Sequence, residues 1–214
     1  AGHLAWSPLP ARRLLPAPGR TLFGALLLLA AACSHVQSPA DREYFTALNR
    51  ELREQGIGHP VMVIDLDRLD HNLKVVMGRL QPPLHFRAVE KSAPSVGLLN
   101  YILEKTGSHR VMAFHHPFLP TLLARLPEDT DILFGKTIPI AGVAEVLREL
   151  DEAGRDDALR RVSWLIDSPR TLNEYLAFFK RHGLRFCANL ELELGLALGG
   201  AATEAELDEL LKLL

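Results

Sequence analysis

From residue 85 onward, short apolar runs alternate with longer stretches of helical spacing, and that alternation leaves few folds open. The strand-like runs cover residues 85–90, 110–114, 131–134, 161–166 and 185–192. Residues 94–105, 117–126, 140–153, 169–182 and 203–214 place apolar side chains three and four apart, as an amphipathic helix requires. Prolines near the start of several of these stretches fit a first helical turn, where no amide hydrogen is needed. Repeated strand–helix units predict a parallel sheet with right-handed crossovers. An open doubly wound sheet and a closed α/β barrel both meet that description. No Gly-x-Gly-x-x-Gly follows the first strand, which argues against a dinucleotide site. Gly135-Lys136-Thr137 lacks the upstream glycine of a phosphate loop and reads as a strand-end turn.

Upstream of the alternation, residues 41–55 have helical spacing, with Tyr44, Leu48 and Leu52 on one face. Gly56 and Gly58 break that helix. The apolar run Val61-Met62-Val63-Ile64-Asp65-Leu66 then predicts a strand buried on both faces. Asp67 is the expected cap of a helix reaching Leu80, with Leu69, Leu73, Val76 and Leu80 as its core stripe. Pro82-Pro83 ends the unit.

A chain of 214 residues can bury one sizeable core and carry a tail. Its formal net charge of −2 comes with no basic stripe, which argues against binding nucleic acid. The two cysteines, Cys33 and Cys187, cannot make a disulfide framework, and Cys187, inside an apolar run, is expected to be a buried small hydrophobe. The first 33 residues read as an export signal. Arg12, Arg13 and Arg20 precede an apolar run over residues 22–32 that is too short to span a bilayer as a helix. Leu29-Ala30-Ala31-Ala32-Cys33 resembles a bacterial lipoprotein cleavage box, in which Cys33 would be lipidated and would anchor the protein to a membrane. Residues 34–58 would then hold a short polar tether and the first helix. The expected location is periplasmic, as an anchored lipoprotein. The alternative is an extension ahead of the true start, since the chain opens with Ala1, and then a cytoplasmic protein.

Lys91 ends the strand-like run Phe86-Arg87-Ala88-Val89-Glu90-Lys91-Ser92. The C-terminal ends of strands are where α/β barrels collect their chemistry. An amine there can form a Schiff base with an aldehyde cofactor, the chemistry of pyridoxal phosphate enzymes. The plainer alternative is a solvated lysine at a strand end. His115 and His116 follow the next strand, and because adjacent strand residues point to opposite sides, at most one can face the same mouth. Without a third ligand at suitable spacing they predict no metal site. Asp167 before Ser168-Pro169 reads as a helix cap, and Trp164 as core. His109 and His182 are expected to be exposed. Glu204, Glu206, Asp208 and Glu209 form a solvated helix face, with Leu207, Leu210, Leu211 and Leu214 opposite.

Taken in order, three segments are similar to a known superfamily. The run HPVMVIDLDRLDHN (59–72) resembles the entry segment of the alanine racemase N-terminal-domain superfamily, the fold-type III pyridoxal phosphate enzymes. FRAVEKS falls where that family carries its cofactor lysine. WLIDSPRTLNEYLAFFKRHGLRFCANLELELGLALGG resembles the segment running into the family's acidic-glycine strand end. The resemblance covers roughly residues 44–200 and is nearest to the branch of D-threonine aldolase and D-serine dehydratase-like proteins.

The resemblance implies an eight-stranded (β/α) barrel of the TIM type with pyridoxal phosphate at its mouth, bound through Lys91. Residues 59–214 would make only part of it, about five barrel strands, without the family's C-terminal β domain. It further implies an isomerase or lyase acting at the α-carbon of an amino-acid substrate, a homodimer, and Glu193 as either a cofactor contact or a salt-bridged structural residue at the mouth; His115, from its place after a strand, is the other candidate cofactor contact. One departure stands out, because Leu198 occupies the position where relatives carry an arginine that contacts the cofactor, and leucine donates no hydrogen bond. Two other readings stand beside the enzyme: a non-catalytic pyridoxal phosphate carrier, and an inactive truncated remnant.

Overall fold

The computed structural model describes residues 38–195 and 199–214. The signal-like segment, Cys33 and Leu198 lie outside the described residues. The chain divides into two units, residues 1–63 and 64–214.

In the first unit, helix α1 spans Pro39–Glu54. Ser38 accepts from the Asp41 amide at 3.1 Å, and the Asp41 carboxylate accepts in return from the Ser38 amide at 3.3 Å. This reciprocal box satisfies two of the donors a helix start leaves open. No residue of α1 is buried.

The predicted strand at Val61–Leu66 is not formed. The backbone from Val61 to Ile64 is in no strand or helix, and Met62 is 80% exposed. Apolar patterning does not make a strand alone, because each backbone group also needs a partner across the ladder. No strand pairs with this run among the described residues. The following helix, α2, spans Leu66–Arg79 and is capped by Asp65, which accepts from the Arg68 amide at 3.0 Å. Asp67, the expected cap, lies inside the first turn. Two aspartates two residues apart compete for this job, and the one with extended backbone takes it.

The second unit follows the predicted alternation. Its elements are β1 (Ala88–Val89), α3 (Val96–Thr106), β2 (Arg110–Ala113), α4 (Leu119–Arg125), β3 (Asp131–Phe134), α5 (Ile140–Glu149), α6 (Glu152–Arg161), β4 (Val162–Ile166), α7 (Pro169–Arg181), β5 (Cys187–Leu190) and α8 (Glu204–Leu213). The strands form one parallel sheet in the order β1-β2-β3-β4-β5, with Val111 opposite Ile132 and Leu165 opposite Asn189. Each strand therefore pairs with its predecessor in sequence. Right-handed crossovers on such an order put every helix on the same face. Burial agrees: Val111, Ala113, Ile132 and Phe134 are fully buried, while Arg110, Met112, Asp131 and Leu133 alternate with them and are half-exposed. Trp164 stacks on Phe134 with ring centroids 4.9 Å apart and meets the edge of Tyr175 from α7. Leu99, Leu122, Val143 and Leu172 from four helices complete this core.

The predicted helix over residues 140–153 is two helices. α5 stops at Leu150, whose backbone is extended, and Asp151 starts α6 by accepting from the Gly154 amide at 2.8 Å. Arg155 then donates to the carbonyls of Leu147 and Leu150, satisfying the end of α5. Arg161, read from sequence as the first residue of a strand, is the last of α6. Cys187 is exposed rather than buried, because β5 pairs on one side only within the described sheet. On α8 Leu210 is buried, whereas Leu211 and Leu214 are exposed. No described helix is long and apolar enough to cross a membrane.

Candidate functional site

The two ends of the sheet differ in chemistry. At the N-terminal ends of the strands, side chains close off the backbone. Arg87 donates to the carbonyls of Val111 and Asp131 and, at 2.6 Å, to the Asp131 carboxylate, so it spans the entry to three strands. Arg161, 5% exposed, donates to the carbonyls of Thr130, Leu123 and Pro127 and pairs with Asp157 at 2.7 Å. A cavity of about 1040 Å³ opens here, between Asn100, Ser108, Arg125 and Arg161. Its buried arginine is already committed to carbonyl oxygens. It is a poor candidate for chemistry.

The C-terminal ends carry the reactive groups. Lys91 lies in the 3-10 turn Glu90–Ser92 directly after β1. Its Nζ stands 4.2 Å from the centroid of the Phe114 ring, the first residue after β2. Gly135, the first residue after β3, donates to the Ala113 carbonyl at 2.9 Å and lies under that ring. Glu90, beside the lysine, is 6% exposed, and one of its carboxylate oxygens is buried without a hydrogen-bond partner.

Asp167 follows β4 and Glu191 follows β5. Asp167 accepts from Thr171 Oγ1 at 2.7 Å and Ser168 Oγ at 3.0 Å. Burial alone would raise its pKa, but these bonds and one from Thr137 outweigh burial and hold the carboxyl below its usual range. Glu191 has the opposite shift. Burial pushes it up first, and the charges of Asp167 and Glu193 add to that. The Glu191 carboxylate and Asp167 flank the same space, since a side chain on Gly199 would come within 3.3 Å of Glu191 Oε2 and 3.9 Å of Asp167 Cβ.

The sequence-predicted residues divide between two groups. Lys91 belongs with Phe114 and Gly135. Glu193 accepts from the Gly199 amide at 3.4 Å and so braces the turn that returns through Ala201 to pair with Leu192. His115 is exposed, with the His116 ring 6.3 Å away. His116 is half-buried against Gly142 in the first turn of α5 and faces Glu145 at 3.8 Å. Asp167 is not the cap of α7 that the sequence predicts: Ser168 takes that place, accepting from the Thr171 amide, and Asp167 accepts from the hydroxyls of both. His109 pairs with Asp129 at 2.8 Å, and His182 packs on Phe178. Among the described residues no three histidine, cysteine or acidic side chains are grouped to hold a metal.

Sequence reasoning passed over Phe114, Gly135, Thr137 and Glu191. The available signal was position: three of the four directly follow an observed strand, and the runs read from sequence end at or near them. Comparison with known proteins adds no further constraint, because no family model matches the chain and no curated protein matches it.

Proposed function

We propose that this chain carries pyridoxal phosphate on Lys91 at the mouth of a (β/α) barrel of the TIM type and acts at the α-carbon of an amino acid, as an isomerase or lyase. The observation that carries the reading is the position of the Lys91 amine, exposed after the first strand and lying against an aromatic face. The strand order supports the barrel. Sequential neighbours all along the sheet are the order of a barrel wall, whereas a doubly wound sheet reverses direction at a switch point.

The residues present fit the cofactor at its aldehyde end. Lys91 offers an accessible amine, and Phe114 with Gly135 offers an apolar surface beside it. Asp167, Glu191 and Glu193 have the wrong sign for a phosphate, so they suit the amine side of the substrate or the cofactor ring and not the phosphate. His115 is a second cofactor contact in this reading, from the end of β2. When bound, pyridoxal phosphate supplies an electron sink for a carbanion at the substrate's α-carbon. Lys91 would also serve as the base on one face of that carbon. Asp167, held ionised by three hydroxyl donors, would offer a fixed negative charge there. Glu191, pushed toward its neutral form, is the better proton holder of the two. Residues 1–33 are proposed to direct export and Cys33 to be lipidated, and the intact mass of the membrane fraction tests this.

The functional test is trapping. Borohydride reduction of the protein incubated with pyridoxal phosphate should leave a mass adduct on Lys91 and remove a visible absorbance band. Lys91→Ala should abolish both, and Lys91→Arg should do the same while keeping the charge. An adduct on Lys74 or Lys136 instead would overturn the assignment.

A further inference from the structure

A lysine side chain has four rotatable bonds, so an exposed amine samples many positions unless something holds it. Here the holder is visible. Lys91 Nζ lies 4.2 Å from the Phe114 centroid, well inside the range at which a cation is attracted by a ring face. The ring in turn stands where only glycine could lie beneath it. A Cβ built on Gly135 would collide with Phe114 Cζ, sit 2.8 Å from its Cε1 and come 2.7 Å from Met112 Sδ. The Gly135 backbone is outside the left-handed region, so its conformation does not require glycine. What excludes a side chain there is the ring together with the Met112 sulfur beside it, so that an alanine would force one of them to move. Three successive strand ends thus contribute one part each: the amine, the face it rests on, and the gap that admits the face.

We propose that Phe114 is a positioning residue for Lys91, fixing the amine at the barrel mouth, and that Gly135 is required because it makes room for the ring. The inference rests on the reading of Lys91 as the cofactor lysine. A ring–cation contact at an exposed site corresponds to about a two- to fivefold change in an equilibrium constant.

The experiment uses the full chain and three variants: Phe114→Leu, which removes the face; Phe114→Tyr, which keeps it; and Gly135→Ala, which crowds the ring without altering it. The first readout is the fraction of Lys91 trapped by borohydride at sub-saturating pyridoxal phosphate, located by peptide mass spectrometry. It should fall about two- to fivefold in Phe114→Leu and in Gly135→Ala and be kept in Phe114→Tyr, with circular dichroism unchanged. The second readout needs no cofactor. Lysines are 13C-dimethylated, the Lys91 signal is assigned by its loss in Lys91→Arg, and its ring-current displacement is measured. That displacement should be present in the unmodified sequence and in Phe114→Tyr, and lost in Phe114→Leu. Equal trapping in the unmodified sequence and in Phe114→Leu would overturn the positioning role while leaving the cofactor lysine in place. A Lys91 signal with no ring-current displacement would overturn the contact. A displaced signal with no adduct on Lys91 would overturn the cofactor reading, and the positioning role with it.

Discussion

The two rims of the sheet use cations in opposite ways. At the N-terminal rim Arg87 and Arg161 face carbonyl oxygens and carboxylates, and each guanidinium is bonded to several partners. At the C-terminal rim Lys91 rests on a ring face, and the acidic residues that follow β4 and β5, Asp167 and Glu191, have pKa values shifted in opposite directions. The first arrangement is extensively paired. The second leaves charge available. Extensively bonded guanidinium groups and the proposed site thus sit at opposite ends of the same strands, and substitutions at the two rims should be separable.

Replacing Arg161 should have the largest effect. Arg161→Met leaves the carbonyls of Leu123, Pro127 and Thr130 without their donor, and loss of a buried paired charge costs about 3–5 kcal/mol. The urea midpoint should drop accordingly, while trapping on Lys91, measured where the variant is still folded, stays the same. A loss below about 1 kcal/mol would break the contrast between the rims.

Tyr175 links the core to the reactive rim, because its hydroxyl donates to the Ile138 carbonyl at 2.6 Å, just beyond Thr137. Tyr175→Phe should cost about 1–1.5 kcal/mol. Burial, followed by the Asp167 charge, pushes the phenol well above its ordinary value of 10.0. A raised pKa gives stability that is complete below that ordinary value and is lost as pH rises toward the folded one. The unmodified chain should accordingly destabilise above about pH 10 more steeply than Tyr175→Phe. Parallel pH–stability curves would show that the hydroxyl carries no such coupling.

Lys91→Ala should change stability by no more than about 1 kcal/mol, as expected for an exposed side chain with one ring contact, yet remove the trapped adduct entirely. A large drop in the melting temperature would mean that this lysine belongs to the structural rim after all.

The smallest effect is expected at Glu191. Its raised pKa means that its contribution to stability is present below the ordinary value of 4.5 and is lost as pH rises above it. Glu191→Gln should therefore melt slightly higher than the parent at pH 7 and no higher at pH 3. Equal destabilisation at both pH values would refute the claim that burial and the neighbouring carboxylates oppose its charge.

Most of the sheet was legible in the sequence, because strands covered by helices on one face and their crossover helices leave two clear apolar periods. The start of β3 at Asp131 and of α7 at Pro169 coincide with the predicted runs. The failures share a cause. Val61–Leu66 has strand composition and no ladder partner, Cys187 lies in an apolar run on a strand paired on one side, and the break at Leu150 depends on an Asp151 cap within an otherwise periodic stretch. Each was decided by a partner that local pattern does not encode. The site was half legible. Lys91 could be singled out by its place after a strand, but Phe114 over Gly135 is a contact between residues 21 apart, set by the register of β2 and β3.

Sequential strand order has a kinetic consequence. Val111 pairs with Ile132, Ile132 with Val162, and Ser163 with Cys187, so no strand waits for a distant one to be made. Each closing loop is short, and its entropic cost grows only slowly with length. A nascent chain can thus add one strand at a time to an edge already in place, at the pace of synthesis, with β5 as the growing edge.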